Sequence, residues 1–333
     1  MRSLLITSAG SGVGNALITA LNHAAHSYRV IVLSSHAVTP VFSQAHAAYL
    51  SPLTSETEAF KTRLFEVITR EKPHLLLAGR DEELPLLAQW KPELDALNCR
   101  IPGNNPSLMA ACTDKYLTWK KLKDIIAVVP TAHTPSEIED MINTYGFPLL
   151  LKPRSGFGSK GVLEVKTRAL LEAFLAEVTQ DYIVQPLLKP DTESPFFPEY
   201  SGQILIGHKE TDISCFSSSI RVEQGHTTHL RTLSPQHPFA QFLNTTAQKM
   251  AQAGFRGPYN VQAMKNAQGN FLCFEINARC TGLTGLRAQL GWNEVDWLYD
   301  SFVQQVSPPP MTASPDQTAV LESHFHLLFH EGE

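Results

Sequence analysis

The stretch Phe274-Glu275-Ile276-Asn277-Ala278-Arg279 follows Asn260-Val261-Gln262 at the distance of one hairpin. Alternate residues of a strand share a face. Glu275 and Asn277 therefore aim two oxygens at one point only if this segment is extended, with Gln262 adding a third from a neighbouring strand. Hard oxygens on a rigid sheet suit Mg²⁺ held between protein and nucleotide phosphates. Arg279, next on the same face, has the reach and geometry for a phosphoryl oxygen. The plainer alternative is a solvated polar strand face, and the rest of the chain has to decide between the two.

Residues 1–105 alternate strand and helix. Leu4-Leu5-Ile6-Thr7, Arg29-Val30-Ile31-Val32-Leu33 and His74-Leu75-Leu76-Leu77-Ala78 read as buried strands. Between them, Gly14 to Ala24 carries Ala16, Leu17, Ala20 and Leu21 at helical spacing. Ser55 and Glu58 have the spacing of a capping box opening a second helix. Such alternation predicts a parallel sheet. The turn Gly10-Ser11-Gly12-Val13-Gly14-Asn15 has Asn15 where a dinucleotide fingerprint needs glycine, and no acid ends the second strand. It reads as a tight strand-to-helix turn beside a small-molecule cleft, and an NAD-dependent enzyme is the weaker alternative.

Residues 106–180 differ. Asp114-Lys115 opens a helix, Val128-Val129-Pro130 is short and extended, and Ser136 with Glu139 is expected to cap a helix ending at Gly146. Lys152 sits in the otherwise apolar strand Phe147–Pro153. A lysine there is costly without an anionic partner. Ser155-Gly156-Phe157-Gly158-Ser159-Lys160-Gly161 then forms a glycine-rich turn between strands. It is not a Walker loop, which would open a helix, but its N–H groups suit phosphates. Residues 181–306 read as a mostly antiparallel sheet with helices, and 307–333 as linker and tail.

The bulk numbers exclude several classes. A net charge of −5 offers no basic footprint for nucleic acid, and no apolar run reaches the length of a membrane helix. The five scattered cysteines make no CxxC pair, which points to reduced thiols in the cytoplasm. His226 and His229 lack nearby acidic or thiol partners for a metal.

Taken in order, Asp114-Lys115, Lys152-Pro153, the loop Ser155–Gly161, Val184-Gln185-Pro186-Leu187-Leu188, Glu199-Tyr200, Asn260-Val261-Gln262 and Glu275–Arg279 resemble the ATP-grasp superfamily, particularly its carbamoyl-phosphate-synthetase-like branch. The resemblance spans roughly residues 1–306. It implies an α/β and α+β chain: a Rossmann-like domain (1–105), then a grasp fold of two subdomains (106–180 and 181–306).

The resemblance also implies roles. Lys115 and Lys152 would contact ATP phosphates, and Ser155, Gly156, Gly158, Ser159 and Gly161 would close over them. Gln185, Pro186 and Leu188 would line adenine through backbone groups, and Glu199 would accept from the ribose, with Glu193 as a substitute. Gln262, Glu275 and Asn277 would hold Mg²⁺, with Mn²⁺ as the alternative ion. Arg279 and Lys152 would act in catalysis. The implied reaction joins a carboxylate of the amino-acid or small-peptide class to an amine through an acyl phosphate, releasing ADP. A regulatory ATP-binding module without turnover is the alternative. The implied partners are small molecules, and a homodimer is compatible. For the acceptor substrate, the candidates are Gly10–Asn15, Asp81-Glu82-Glu83, Arg221 and Arg231.

Overall fold

The computed structural model describes residues 1–103, 106–156, 161–178, 181–188, 196–322 and 325–330. Its first unit runs β1 (Arg2–Ile6), α1 (Gly12–Leu21), β2 (Tyr28–Ser34), α2 (Val41–Gln44), β3 (Ala47–Leu50), α3 (Thr57–Glu71) and β4 (Leu75–Leu77). A 3₁₀ turn at Asp81–Glu83 leads into α4 (Leu84–Ala96). The four strands are parallel in the order β3-β2-β1-β4. Leu4, Leu5, Ile6, Ile31, Val32 and Leu33 are fully buried, as expected for strands covered on both faces. Strand β3 escapes a sequence reading because it is a short edge strand of four residues that is only half buried. Ser55 does not cap α3. The helix starts at Thr57, and the Glu56 carboxylate instead accepts from the Leu53 N–H at 3.0 Å.

The second unit comprises α5 (Pro106–Thr113), α6 (Lys115–Leu122), α7 (Pro135–Tyr145), β5 (Leu149–Pro153), β6 (Leu163–Val165), α8 (Arg168–Glu177) and β7 (Tyr182–Pro186). Its strands form a small antiparallel sheet in the order β6-β5-β7. Strand β7 lies past residue 180 in sequence yet pairs with β5, so this unit extends beyond the expected boundary. Thr134 and Glu137, not Ser136 and Glu139, form the capping box of α7. Glu139 instead pairs with Arg168 across to α8 at 2.6 Å.

The third unit holds β8 (Glu199–Ile206), β9 (Ile213–Glu223), β10 (His226–Thr232), α9 (Pro238–Gln252), β11 (Gly257–Lys265), β12 (Phe271–Asn277), α10 (Thr284–Gln289) and α11 (Glu294–Phe302). Two further strands, β13 (Gln317–Glu322) and β14 (Phe325–His330), complete an antiparallel sheet ordered β12-β11-β8-β9-β10-β13-β14. The expected tail is thus partly sheet. The Asp316 N–H donates to the Thr232 carbonyl, and the Thr232 hydroxyl to that of Ser314, which docks β13 against β10.

Helix α9 covers one face of the large sheet. A Cβ at Gly202 would lie 2.5 Å from the Leu243 methyls, so glycine permits this close approach. On the opposite face, Leu205, Phe216, Ile220 and Leu230 share a core with Trp292, Leu286 and the first sheet. The segment Ala127–Ala132 ties the two grasp sheets. Val129 and Ala127 exchange backbone hydrogen bonds with Cys273 of β12, and Ala132 does so with Val184 of β7.

Candidate active site

Across the β11–β12 hairpin Gln262 stands opposite Glu275, and Asn260 opposite Asn277. All four therefore share one face. The continuing register places Ser201 and Gln203 of β8 on the same face. Asn277 donates through Nδ2 to Glu275 Oε1 at 3.1 Å, so the two side chains do converge. Beneath them Asn260 donates to Ser201 Oγ at 3.1 Å and to the Gly202 carbonyl at 3.2 Å. Those bonds turn Asn260 inward as support. The pairing skips Phe274, a β-bulge between Cys273 and Glu275. A bulge breaks strand alternation, and the Phe274 ring here lies 4.9 Å from Lys152 Nζ.

Lys152 belongs to the other sheet. Along β5, Leu149, Leu151 and Pro153 are buried, while Lys152 projects between the sheets. Burial pushes its ammonium down to about 8, and Lys115 adds to the shift, while Glu275 and Glu199 oppose it. Burial and Glu275 in turn raise the Glu199 carboxyl, against the pull of Lys152. Lys152, Glu199 and Glu275 thus come from three strands of two sheets and bear on one space.

Lys115 is fixed at the edge of that space by Asp114. One Asp114 oxygen caps α6 by accepting from the Tyr116 and Leu117 N–H groups, and the other accepts from Arg154 Nε at 2.7 Å. Lys115 Nζ donates to the Gly156 carbonyl at 2.9 Å. The glycine turn leaves its strand at Arg154 and exposed Ser155, with Gly156 at φ 128° and Gly161 at φ 73°. These are backbone conformations that a side chain would strain. A Cβ at Gly161 would also meet Pro153 Cγ at 2.9 Å. Gly158 and Ser159 lie outside the described residues. Arg154 was missed by motif reading, although a basic residue after Lys152-Pro153 and an acid before Lys115 are the complement that could have found it.

Gln185 is buried and donates to Thr131 Oγ1 at 2.9 Å, so its side chain braces the connecting segment. Pro186 stands opposite Leu149, and Leu187 and Leu188 follow, partly buried. Glu193, the substitute for Glu199, falls outside the described residues.

Arg279 points from the hairpin to the first unit. It pairs with Asp81 Oδ2 at 2.5 Å and donates to the Cys280 carbonyl at 3.1 Å and to Asn277 Oδ1 at 3.4 Å. Glu83, two residues on, is fully buried and accepts from the Thr7 and Ser8 hydroxyls at 2.7 Å each. Ser11 donates to the Gly79 carbonyl at 2.9 Å. The Gly10–Asn15 turn and Asp81–Glu83 therefore meet at the ends of β1 and β4, beside Arg279.

Arg221 and Arg231 are not part of this assembly. Arg221 stands opposite His229, and Arg231 opposite Ser219, which itself faces Tyr200. Tyr200 alternates with Glu199 and Ser201, so both arginines occupy the α9 side of the sheet. There Arg221 pairs with Glu223 at 2.7 Å and lies over Phe196, and Arg231 lies over Phe197. This corrects their expected place at an acceptor site.

Among the described residues no group of three His, Cys, Asp or Glu side chains could hold a metal by itself. Glu275 with the amides of Asn277 and Gln262 is a sparse, all-oxygen set. It fits Mg²⁺ that takes its remaining ligands from phosphates and water.

The family model of the ATP-grasp domain matches residues 112–283, more than half of the chain. The chain belongs to the ATP-grasp family. Its relatives include the carbamoyl phosphate synthase large chain of Rubrobacter xylanophilus, 24% identical over 281 residues. The match covers 79% of this chain but 26% of that protein, so the chain spans about a quarter of this relative's length. Among solved structures, N5-carboxyaminoimidazole synthetase from Staphylococcus aureus in complex with ADP superposes with a TM-score of 0.74 at 16% identity, covering 96% of this chain and 82% of that one. An L-amino acid ligase from Bacillus licheniformis gives 0.69 at 17%, covering 96% and 79%. These solved structures share the fold of this chain.

Proposed function

We propose that this chain is an ADP-forming ligase that joins a carboxylate to an amine. The carrying observation is the convergence of Lys152 from one sheet with Glu199 and Glu275 from the other. A cation poised without strong neutralisation beside hard oxygen donors suits a magnesium-bound triphosphate. The Staphylococcus synthetase was solved with ADP, which supports a nucleotide in the corresponding cleft.

In this reading Lys115 and Lys152 hold the phosphates, Glu199 accepts from the ribose, and Gln262, Glu275 and Asn277 hold the metal. Bound there, the metal would neutralise charge developing on the phosphate oxygens. A substrate carboxylate oxygen attacks the γ-phosphorus and ADP leaves. An amine then attacks the acyl carbon, phosphate departs, and the amine gives up one proton. Positioning and charge carry the catalysis. Arg279, reaching from the hairpin to Asp81, stabilises the transferring phosphoryl group.

The test is to incubate the full chain with Mg²⁺-ATP and a fractionated small-molecule extract, following ADP, AMP and new masses together. ADP that appears only with certain fractions, alongside a new mass, is the expected result. AMP would refute the acyl-phosphate route. Arg279→Ala should abolish turnover while sparing ATP binding.

A further inference from the structure

Arg279 reaches out of the third unit and is met by a carboxylate of the first. Its Nη2 donates to Asp81 Oδ2 at 2.5 Å and to Asn277 Oδ1 at 3.4 Å, and its Nη1 donates to the Cys280 carbonyl at 3.1 Å. Asn277 in turn donates to Glu275 Oε1 at 3.1 Å. These contacts form one polar line, Glu275–Asn277–Arg279–Asp81, from the candidate metal ligands to the first unit. The Arg279 and Asp81 side chains are 14% and 23% exposed, so the pair is only weakly screened.

The Asp81 end of that line is anchored. The turn Asp81–Glu83 hangs from the buried Glu83 carboxylate, which accepts from the Thr7 and Ser8 hydroxyls at 2.7 Å each and from the Gly79 and Arg80 N–H groups. A Cβ at Gly79 would lie 2.4 Å from the Thr7 carbonyl oxygen, so the ends of β1 and β4 are pressed together here. Ser8 is held at φ 43°, a left-handed conformation that costs a residue other than glycine. Asp81 is therefore a fixed post, whereas Arg279 is a long side chain with several rotatable bonds. When the guanidinium moves, the pair breaks rather than travels.

We propose that Asp81 is a positioning residue that tethers Arg279 to the first unit and withholds its charge from the terminal phosphate of ATP until the acceptor-loaded site draws it away. The proposal rests on the ligase reading and concerns control of that same site. An arginine free to lie on the γ-phosphate would favour transfer to water before a substrate carboxylate arrives. Removing the post leaves a largely buried guanidinium without its carboxylate. With Glu275 engaged by the metal, the anion left to it is the triphosphate.

The experiment is calorimetric titration of ADP and of β,γ-methylene-ATP, each with saturating Mg²⁺, into the full chain. The chains compared are wild type, Asp81→Ala, Asp81→Asn, Arg279→Ala and the double variant Asp81→Ala with Arg279→Ala. Loss of a purely structural ion pair would weaken binding or leave it alone, whereas release of a tether strengthens it. Asp81→Ala should bind β,γ-methylene-ATP about tenfold more tightly than wild type, the value of one charge-assisted hydrogen bond. Its affinity for ADP should match wild type, because the γ-phosphate is missing. Asp81→Asn keeps an oxygen for Arg279 but not the charge, and should fall between. The double variant should bind as Arg279→Ala does, which separates a released arginine from the removal of a negative charge near an anion. Melting curves check that each variant is folded, and Asp81→Asn, which preserves the side chain's shape, decides the matter if Asp81→Ala does not fold. No gain in either Asp81 variant, or a gain that persists without Arg279, would overturn the tether and leave the ligase reading standing. Failure of wild type to bind either nucleotide would refute both together.

Discussion

Lys152 carries the clearest pH signature of any single residue. In the folded chain its ammonium titrates at about 8, against 10.5 for a free lysine. Between these values the unfolded chain binds a proton that the folded chain has shed. Stability of the nucleotide-free protein should therefore rise as pH increases through this window. Affinity for ATP should fall over the same range, because the phosphates need the charged form. Denaturant melts and ATP titrations at pH 7, 8 and 9.5 check the opposing signs. Lys152→Met should flatten both dependences, whereas Lys152→Arg should retain charge throughout. The convergence of Glu275 with Asn277 was legible in the sequence because it needs only the two-residue period of a strand. The sides taken by Arg221 and Arg231 were not, since a strand's facing follows from its register with partners far away in sequence.

At the scale of elements, the turn after β12 is held by a buried pair. Arg287 donates to Glu294 at 2.6 Å through Nε and to the Thr281 and Thr284 hydroxyls at 3.1 Å, with both charged side chains almost wholly enclosed. Burial, then Glu294, pushes the neighbouring Cys280 thiol up. Arg287→Met leaves Glu294 charged and alone and should cost about 3–5 kcal/mol in urea unfolding. Arg287→Met with Glu294→Leu should recover most of that loss, whereas equal melting of the single variant and wild type would show that the pair contributes nothing. Helix α7 offers a second test. Burial works against the Glu137 carboxylate, but the Thr134 and His133 N–H groups and the Tyr116 hydroxyl prevail and hold it at about 2. Its contribution is present above pH 4.5 and is lost as pH falls towards 2. Glu137→Gln should therefore lower stability by about 1 kcal/mol at neutral pH and lose the acid-dependent part. The sequence displayed a capping-box pattern at Ser136 and Glu139, yet Thr134-Pro135 starts the helix earlier. Thr134, with Pro at the first helical position, takes the cap instead, a frame that the expected Ser136 cap passed over.

At the scale of the whole molecule, order along the chain and order in space part company. Strands β5 and β7 pair across the glycine turn, β6 and α8, and β13 returns from the tail to β10. Composition announced neither, because sheet membership is a property of distant partners. The alternation in the first unit was legible because parallel strands buried on both faces leave continuous apolar runs. The two grasp sheets meet through Ala127–Ala132, braced by the Gln185–Thr131 bond. Thr131→Val would strand the buried Gln185 amide, at about 1–3 kcal/mol. It should weaken ATP binding along with stability, as differential scanning calorimetry and nucleotide titration would show. In the proposed function, the space between these sheets is a magnesium–ATP site built from both of them. Calorimetric titration of ATP with and without Mg²⁺, on wild type, Glu275→Gln and Lys152→Met, tests it most directly. Wild type should bind one ATP per chain with affinity tightened by Mg²⁺, Glu275→Gln should lose that tightening, and Lys152→Met should reduce overall affinity at least tenfold. ATP binding that is absent in wild type, or unchanged in both variants, would contradict it.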